Sequence, residues 1–128
     1  MTEMTEARRQ VECTIPVIPV RDLLRSVAFY TESLDFSIDW MGQQKLACSV
    51  SRDGCSIMLL QMNPWKGPTW VWIGLRDDSL FEHFREKGVK VHQEPRNESW
   101  AYEMKFEDID GNILWLGTEP KQDVPVAP

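Results

Sequence analysis

The two halves of this chain repeat one another at an offset of 55 residues. Val20-Arg21-Asp22 corresponds to Leu75-Arg76-Asp77, and Phe29 corresponds to Phe84. In each copy a short apolar run precedes apolar residues at helical spacing, which predicts a strand, a helix and a second strand. Because half of a chain this small cannot easily bury a sheet alone, the two copies are expected to pack together.

A strand–turn–strand motif completes each copy. In the second copy Phe106 ends one apolar run, Asp110-Gly111-Asn112 supplies the turn, and residues 113–116 form the next run. Glycine and asparagine tolerate the positive φ that such turns need. Asp53-Gly54, followed by an apolar run at 57–60, is a weaker version of the same motif. The predicted order is therefore βαβββ twice, an α+β fold.

A break at 63–68 separates the two copies, because two prolines and a glycine surround one tryptophan there. The first strand is expected to start at Cys13, residues 95–99 are predicted to form a loop, and Ser79 with Glu82 matches a capping box. The predicted organisation is one globular domain, divided into a flexible N-terminal arm at 1–12, a first module at 13–62, a linker at 63–68, a second module at 69–118 and a C-terminal tail at 119–128.

Composition restricts the possible partners. The net charge of −6 argues against nucleic acid, and no apolar run is long enough to span a membrane. Residues 1–10 contain no apolar signal-peptide core, so the expected compartment is the cytoplasm. The three cysteines have no CxxC spacing and are predicted to be reduced, and a zinc site is not expected. Six tryptophans exceed what the packing of so short a chain needs.

Four segments together resemble the vicinal oxygen chelate superfamily, which includes glyoxalase I, extradiol dioxygenases and the fosfomycin and bleomycin resistance proteins. The segments are Ile18-Pro19-Val20-Arg21-Asp22, Ser26-Val27-Ala28-Phe29-Tyr30, Leu34-Asp35-Phe36 and Asp108-Ile109-Asp110-Gly111-Asn112, and the similarity extends over residues 13–118. The resemblance implies two βαβββ modules whose mixed sheets curl around a cleft, often in a homodimer.

Enzymes of that superfamily hold a divalent metal with His, Gln or Glu side chains from the first and last strands of the modules. The resemblance carries these positions onto Ile15, Met58, Trp70 and Trp115. None of these side chains can bind a hard cation, which prefers carboxylate, imidazole or water. We therefore expect no metal and no other cofactor.

The aromatic residues resemble those of the metal-free bleomycin resistance proteins, which sequester the drug in clefts at a dimer interface. In those proteins aromatic side chains stack on the planar bithiazole, and acidic residues attract the cationic tail. Strand alternation places Trp70 and Trp72 on one face, with Val71 and Ile73 on the other. The candidate ligand-binding residues are Phe36, Trp40, Trp65, Trp70, Trp72, Trp100, Tyr102 and Trp115, with Asp35, Asp39, Glu98 and Glu103 as candidates for the cationic tail.

Three functions remain open at this point. The first is a binding protein that sequesters a planar, partly cationic antibiotic of the bleomycin type. The second is an enzyme of the superfamily, a lyase or isomerase, that acts without metal or with a metal held in an unrecognised way. The third is a structural or regulatory dimer whose tryptophans simply fill the cleft. Neither His83 nor His92 lies near a Ser, Cys or Asp in a triad-like arrangement, so acid–base catalysis has no support in the sequence.

Overall fold

The structure, a computed structural model, describes residues 8–128. Most of the predicted flexible arm, residues 1–7, lies outside the described residues. Residues 8–12 contain no helix or strand. The first strand begins at Val17 rather than at Cys13.

The first module is a four-stranded sheet with one helix. Its elements are β1 (Val17–Val20), α1 (Leu23–Glu32), β2 (Ser37–Met41), β3 (Ala47–Arg52) and β4 (Cys55–Gln61). The strand order is β1-β4-β3-β2, in which β1 pairs with β4 in parallel and the other pairs are antiparallel. Asp22 caps α1, because its carboxylate accepts the backbone N–H of Arg25.

The second module repeats this arrangement. Its elements are β5 (Trp70–Gly74), α2 (Ser79–Glu86), β6 (Lys90–Asn97), β7 (Tyr102–Glu107) and β8 (Ile113–Thr118). The strand order is β5-β8-β7-β6, again with one parallel pair, β5 with β8. The predicted α+β fold of two βαβββ modules is confirmed.

Two local predictions are wrong. Residues 95–97 belong to β6 rather than to a loop. Proline is accommodated at Pro95 because β6 is an edge strand whose pairing with β7 is interrupted by bulges on either side of Gln93. The capping box also does not form, because Ser79 is already the first residue of α2 and its backbone N–H is bound by the Asp77 carboxylate.

The two helix-covered sheet faces share one apolar core. The turn between β7 and β8 closes this core against α1 of the other module. Tyr30 donates its hydroxyl proton to Oδ2 of Asp108 at 2.7 Å, and Ser26 donates to Oδ2 of Asp110 at 2.6 Å. The side-chain amide of Asn112 donates to the carbonyl of Pro19 at 2.9 Å. We call this contact between α1 and residues 108–112 the closed junction.

The closed junction is buried and fully hydrogen-bonded. Burial raises the pKa of Asp108, although hydrogen bonds from Tyr30 and Asn112 act in the opposite direction. Burial, followed by the charge of Asp108, raises the pKa of Tyr30 well above its usual value, so the phenol remains a donor. Within residues 8–128 no buried side-chain polar atom lacks a hydrogen-bond partner.

Candidate functional site

Three tryptophans lie side by side on the helix-free face of the second sheet. Trp72 pairs with Trp115 across the parallel β5–β8 ladder, and Trp70 is two residues away on the same face. Their rings meet edge to face, with centroids 5.3 Å apart for Trp72 and Trp115 and 6.1 Å for Trp70 and Trp115. Trp70 is 55% exposed and Trp72 is 48% exposed, whereas Val71 between them is buried. We call Trp70, Trp72 and Trp115 the aromatic face.

A glycine in β8 makes room for Trp72. Gly117 lies beside Gly74 in the ladder, and a Cβ on Gly117 would overlap the six-membered ring of Trp72. The indole therefore lies flat against the backbone of β8 and presents its outer side to solvent. This requirement explains why the last strand carries glycine at a position where a β-branched residue would otherwise be favoured.

A buried carboxylate on the neighbouring strand orients the aromatic face. Glu103 on β7 is 2% exposed. Its Oε2 accepts the indole N–H of Trp115 at 2.8 Å, and its Oε1 accepts that of Trp100 at 3.0 Å. The Lys105 ammonium neutralises it at 3.3 Å from Oε2. Because Glu103 already has these partners, it is not available to a cationic ligand tail, contrary to the sequence-based expectation.

Lys105 was not among the predicted site residues, although it belongs to this cluster. Its ammonium lies 4.9 Å from the ring centroid of Trp115 and 5.6 Å from that of Trp70. Gln93 accepts a hydrogen bond from the same ammonium at 2.8 Å. The alternation of β7 places Lys105 on the same face as Glu103, so a sequence-based pairing of β7 with β8 would have placed Lys105 next to Trp115.

An acidic group lies on the helix-free face of the first sheet. Asp39 occupies a bulge in β2 and accepts hydroxyl protons from Ser49 at 2.9 Å, Ser51 at 2.6 Å and Ser56 at 3.4 Å. The hydrogen bond from Ser51, followed by that from Ser49, lowers the pKa of Asp39. The next residue, Trp40, is 45% exposed. This corner of the sheet thus combines a stable negative charge with an exposed indole.

The remaining predicted residues are separated from the aromatic face. Trp100 is 62% exposed and is linked to it through Glu103. Phe36 packs edge-on against Tyr30 in the core, with ring centroids 5.8 Å apart. Tyr102 stacks on Phe81 at 5.6 Å.

Trp65 is engaged in contacts that join the linker to the first module. Its indole N–H donates to the carbonyl of Pro19 at 3.0 Å, and the guanidinium carbon of Arg21 lies 3.8 Å from its ring centroid. The ring also lies directly against Gly67, where a Cβ would overlap it. One face of this indole is therefore already occupied by a cation, and the structure does not bring Trp65 together with the aromatic face.

Comparison with known proteins identifies the family. The model of the Glyoxalase/Bleomycin resistance protein/Dioxygenase superfamily matches residues 12–116. The chain belongs to this superfamily. No curated protein matches the sequence.

Solved structures of the superfamily fold share the architecture at low sequence identity. A superfamily member from Sphaerobacter thermophilus DSM 20745 is 22% identical with a TM-score of 0.72, over 84% of this chain and 98% of that one. TnmS3, an antibiotic binding protein from Streptomyces sp. CB03234, is 21% identical with a TM-score of 0.67, over 87% and 99%. TioX from Micromonospora sp. ML1 is 13% identical with a TM-score of 0.72, over 84% and 99%.

The residues at the superfamily's metal position do not fit a divalent cation. The strand register places Val17 beside Met58 and Trp72 beside Trp115, whereas the resemblance carried the first-strand positions onto Ile15 and Trp70. Aliphatic, thioether and indole side chains supply no oxygen or imidazole ligand for such an ion. Among residues 8–128, no three His, Cys, Asp or Glu side chains are grouped so that they could hold a metal. In the same part of the chain, no helix is both long and apolar enough to cross a membrane.

Proposed function

We propose that this superfamily member binds and sequesters a planar, aromatic small molecule of the antibiotic type on its aromatic face. The observation that carries this proposal is the pair of half-exposed indoles, Trp70 and Trp72, held edge to face against Trp115. Exposed tryptophans in a fixed arrangement offer large apolar area without loss of rotamer freedom on binding. The likeness in fold to TnmS3, an antibiotic binding protein, is consistent with this proposal.

A partly cationic ligand of the bleomycin type suits the charge of the protein. The chain carries a net charge of −6, and the depressed pKa of Asp39 keeps that carboxylate ionised at neutral pH. On the aromatic face itself, the charges of Glu103 and Lys105 offset each other. We therefore assign the planar part of the ligand to the tryptophans and its cationic part to Asp39.

A second copy of the chain is part of the proposal. Trp70 and Trp72 leave an apolar surface of a kind that proteins rarely leave uncovered. Trp40 and Asp39 lie on the corresponding face of the other module. A homodimer that apposes the first sheet of one protomer to the second sheet of its partner would form a closed cleft between them. Sedimentation equilibrium at micromolar concentration checks whether the chain is a dimer.

The binding test is a titration of the purified protein with bleomycin, followed by tryptophan fluorescence and calorimetry. Saturable quenching is expected, because the ligand stacks on indoles. Trp70→Ala is expected to weaken affinity at least about tenfold, because one stacking contact is lost. Trp70→Phe, which keeps an aromatic ring, is expected to weaken it less. Leu24→Ala, at an exposed residue of α1, serves as the control and should not change affinity.

Two results would count against the proposal. One is the absence of saturable quenching by bleomycin and by other planar cationic antibiotics. The other is binding that remains unchanged in both Trp70→Ala and Trp72→Ala.

A further inference from the structure

The closed junction has a counterpart on the other side of the molecule. The turn at Asp53-Gly54 corresponds to Asp110-Gly111 in the repeat, and it faces α2 as the second turn faces α1. Apart from Asp110, which corresponds to Asp53, the hydrogen-bonding residues of the closed junction are replaced there. Ser26 and Tyr30 correspond to Phe81 and Arg85, while Asp108 and Asn112 correspond to Ser51 and Cys55.

This exchange of residues leaves the counterpart open. At the closed junction only about 60 Å³ remains between α1 and Asp110. At the other junction a cavity of about 430 Å³ separates the Asp53-Gly54 turn from α2. The Asp53 side chain is 92% exposed, whereas the Asp110 side chain is 6% exposed. We call this cavity the open junction.

Apolar side chains from both modules line the open junction. Ile57 from the first module and Phe84 from the second form part of its floor and are buried beneath it. Three further apolar walls remain only partly covered by protein: Phe36, Ile73 and Leu80. A volume of this size lies within the range of small-molecule sites, and a mainly apolar lining favours an apolar ligand.

The positive charge at the rim is already paired with carboxylates. Arg52 lies 4.0 Å from Asp35 and 3.9 Å from Asp53, and its guanidinium also donates to the carbonyl of Leu34 at 2.8 Å. Among the lining residues that the structure describes, no unpaired positive charge is left to hold an anion. The walls are also held in place, because Asp35 and His83, the neighbours of Phe36 and Phe84, form a contact of 2.6 Å between the modules.

We propose that the open junction is a second ligand site, which takes an uncharged apolar or aromatic molecule of drug-like size. It is distinct from the aromatic face, because Val71 and Ile73 line it from the opposite face of β5. Trp72 is the one tryptophan that borders both. The site requires no ligand on the aromatic face, so the two proposals can fail separately.

The test uses the full chain and N-phenyl-1-naphthylamine, an uncharged fluorophore whose emission rises in apolar surroundings. One saturable site per chain is expected. Leu80→Trp fills the cavity from α2 and should weaken binding at least tenfold, and Ile73→Phe, a smaller change, should weaken it several-fold. Leu24→Trp makes the matched change on α1, where the side chain is exposed, and should leave binding unchanged. Thermal unfolding verifies that each variant is folded.

Trp70→Ala separates this site from the aromatic face. Unchanged fluorophore binding in Trp70→Ala, together with loss in Leu80→Trp, supports the proposal. Loss in Trp70→Ala with full binding in folded Leu80→Trp and Ile73→Phe would overturn it, because the fluorophore would then bind at the aromatic face. Binding that appears only after deletion of residues 1–12 would also overturn it, because the N-terminal segment would then be the natural occupant.

Discussion

Trp115 donates its indole N–H to Oε2 of Glu103 over 2.8 Å, from one strand to the next. The other oxygen of the same carboxylate holds Trp100 at 3.0 Å. A single buried acid therefore sets the orientation of two indoles, one within the aromatic face and one beside it. Glu103 therefore orients the indoles of the ligand site while it stays buried and out of contact with a ligand.

Replacing this acid should destabilise the fold. In Glu103→Gln an amide N–H₂ replaces one acceptor oxygen and faces an indole N–H, so a buried donor loses its partner and Lys105 loses its counter-charge. We expect the free energy of unfolding in urea to fall by about 2–4 kcal/mol. Glu94→Gln, which breaks a solvent-exposed pair with Arg85, is the control and should cost much less stability. Equal losses in the two variants would show that Glu103 has no special role.

The second prediction concerns the glycine beneath Trp72. Gly117→Ala should displace the Trp72 ring toward solvent and weaken binding of a planar ligand at least about fivefold, while costing only about 1 kcal/mol of stability, because the ring can move outward. In Gly74→Ala the new methyl would lie 3.4 Å from Nε1 of Trp72, a much milder contact. The ratio of the two affinities by calorimetry is the measurement, and a ratio near one would contradict the prediction.

The third prediction assigns Trp65 to stability. Trp65→Ala removes the hydrogen bond to Pro19 and the stacking of Arg21. We expect unfolding to become easier by about 2–3 kcal/mol, somewhat less than for a fully buried tryptophan. Ligand affinity of the folded protein should be unchanged. If affinity fell while the denaturation midpoint stayed constant, Trp65 would instead be a binding residue.

The fourth prediction is a pH dependence that originates at Asp39. Because hydrogen bonds from Ser51 and Ser49 lower its pKa in the folded state, ionised Asp39 stabilises the fold above its unfolded pKa of about 3.9. This contribution is lost as the pH falls from there through the lower folded value. Calorimetry between pH 2 and 6 should show wild type melting above Asp39→Asn at pH 6, with the difference vanishing at the acid end. A difference that does not vary with pH would rule out this origin.

Sequence periodicity was sufficient for the order of the elements, because each carries a local signal, although the start of β1 and the end of β6 were missed. Alternation in β5 correctly separated Trp70 and Trp72 from Val71, since a strand places successive side chains on opposite faces. The turn at Asp110-Gly111-Asn112 was recognised from residues that tolerate its backbone, and Gly111 indeed has a φ of 92°.

The candidate site was less accessible to sequence reasoning, because its contacts cross between strands and modules. The residues next to Trp65 in the sequence do not indicate that the Pro19 carbonyl will accept its indole N–H or that the Arg21 guanidinium will lie over its ring. The burial of Glu103 depends on two indoles that lie 3 residues before and 12 residues after it in the chain. The cavity at the open junction exists because α2 carries Phe81 and Arg85 at the positions of Ser26 and Tyr30 in α1. The consequence of this difference is evident only when the two junctions are compared in the structure.

The direction of the bonds in the closed junction has a consequence for the duplication itself. The hydroxyl donors, Ser26 and Tyr30, lie in the first half, and their acceptors, Asp110 and Asp108, lie in the second. A tandem of two first halves would place Ser51 where Tyr30 needs the Asp108 carboxylate, and a tandem of two second halves would place Phe81 where Asp110 needs the Ser26 hydroxyl, so neither would reproduce both bonds. Halves expressed as separate fragments should therefore assemble only with each other. The two halves of the repeat are therefore complementary, and neither can replace the other.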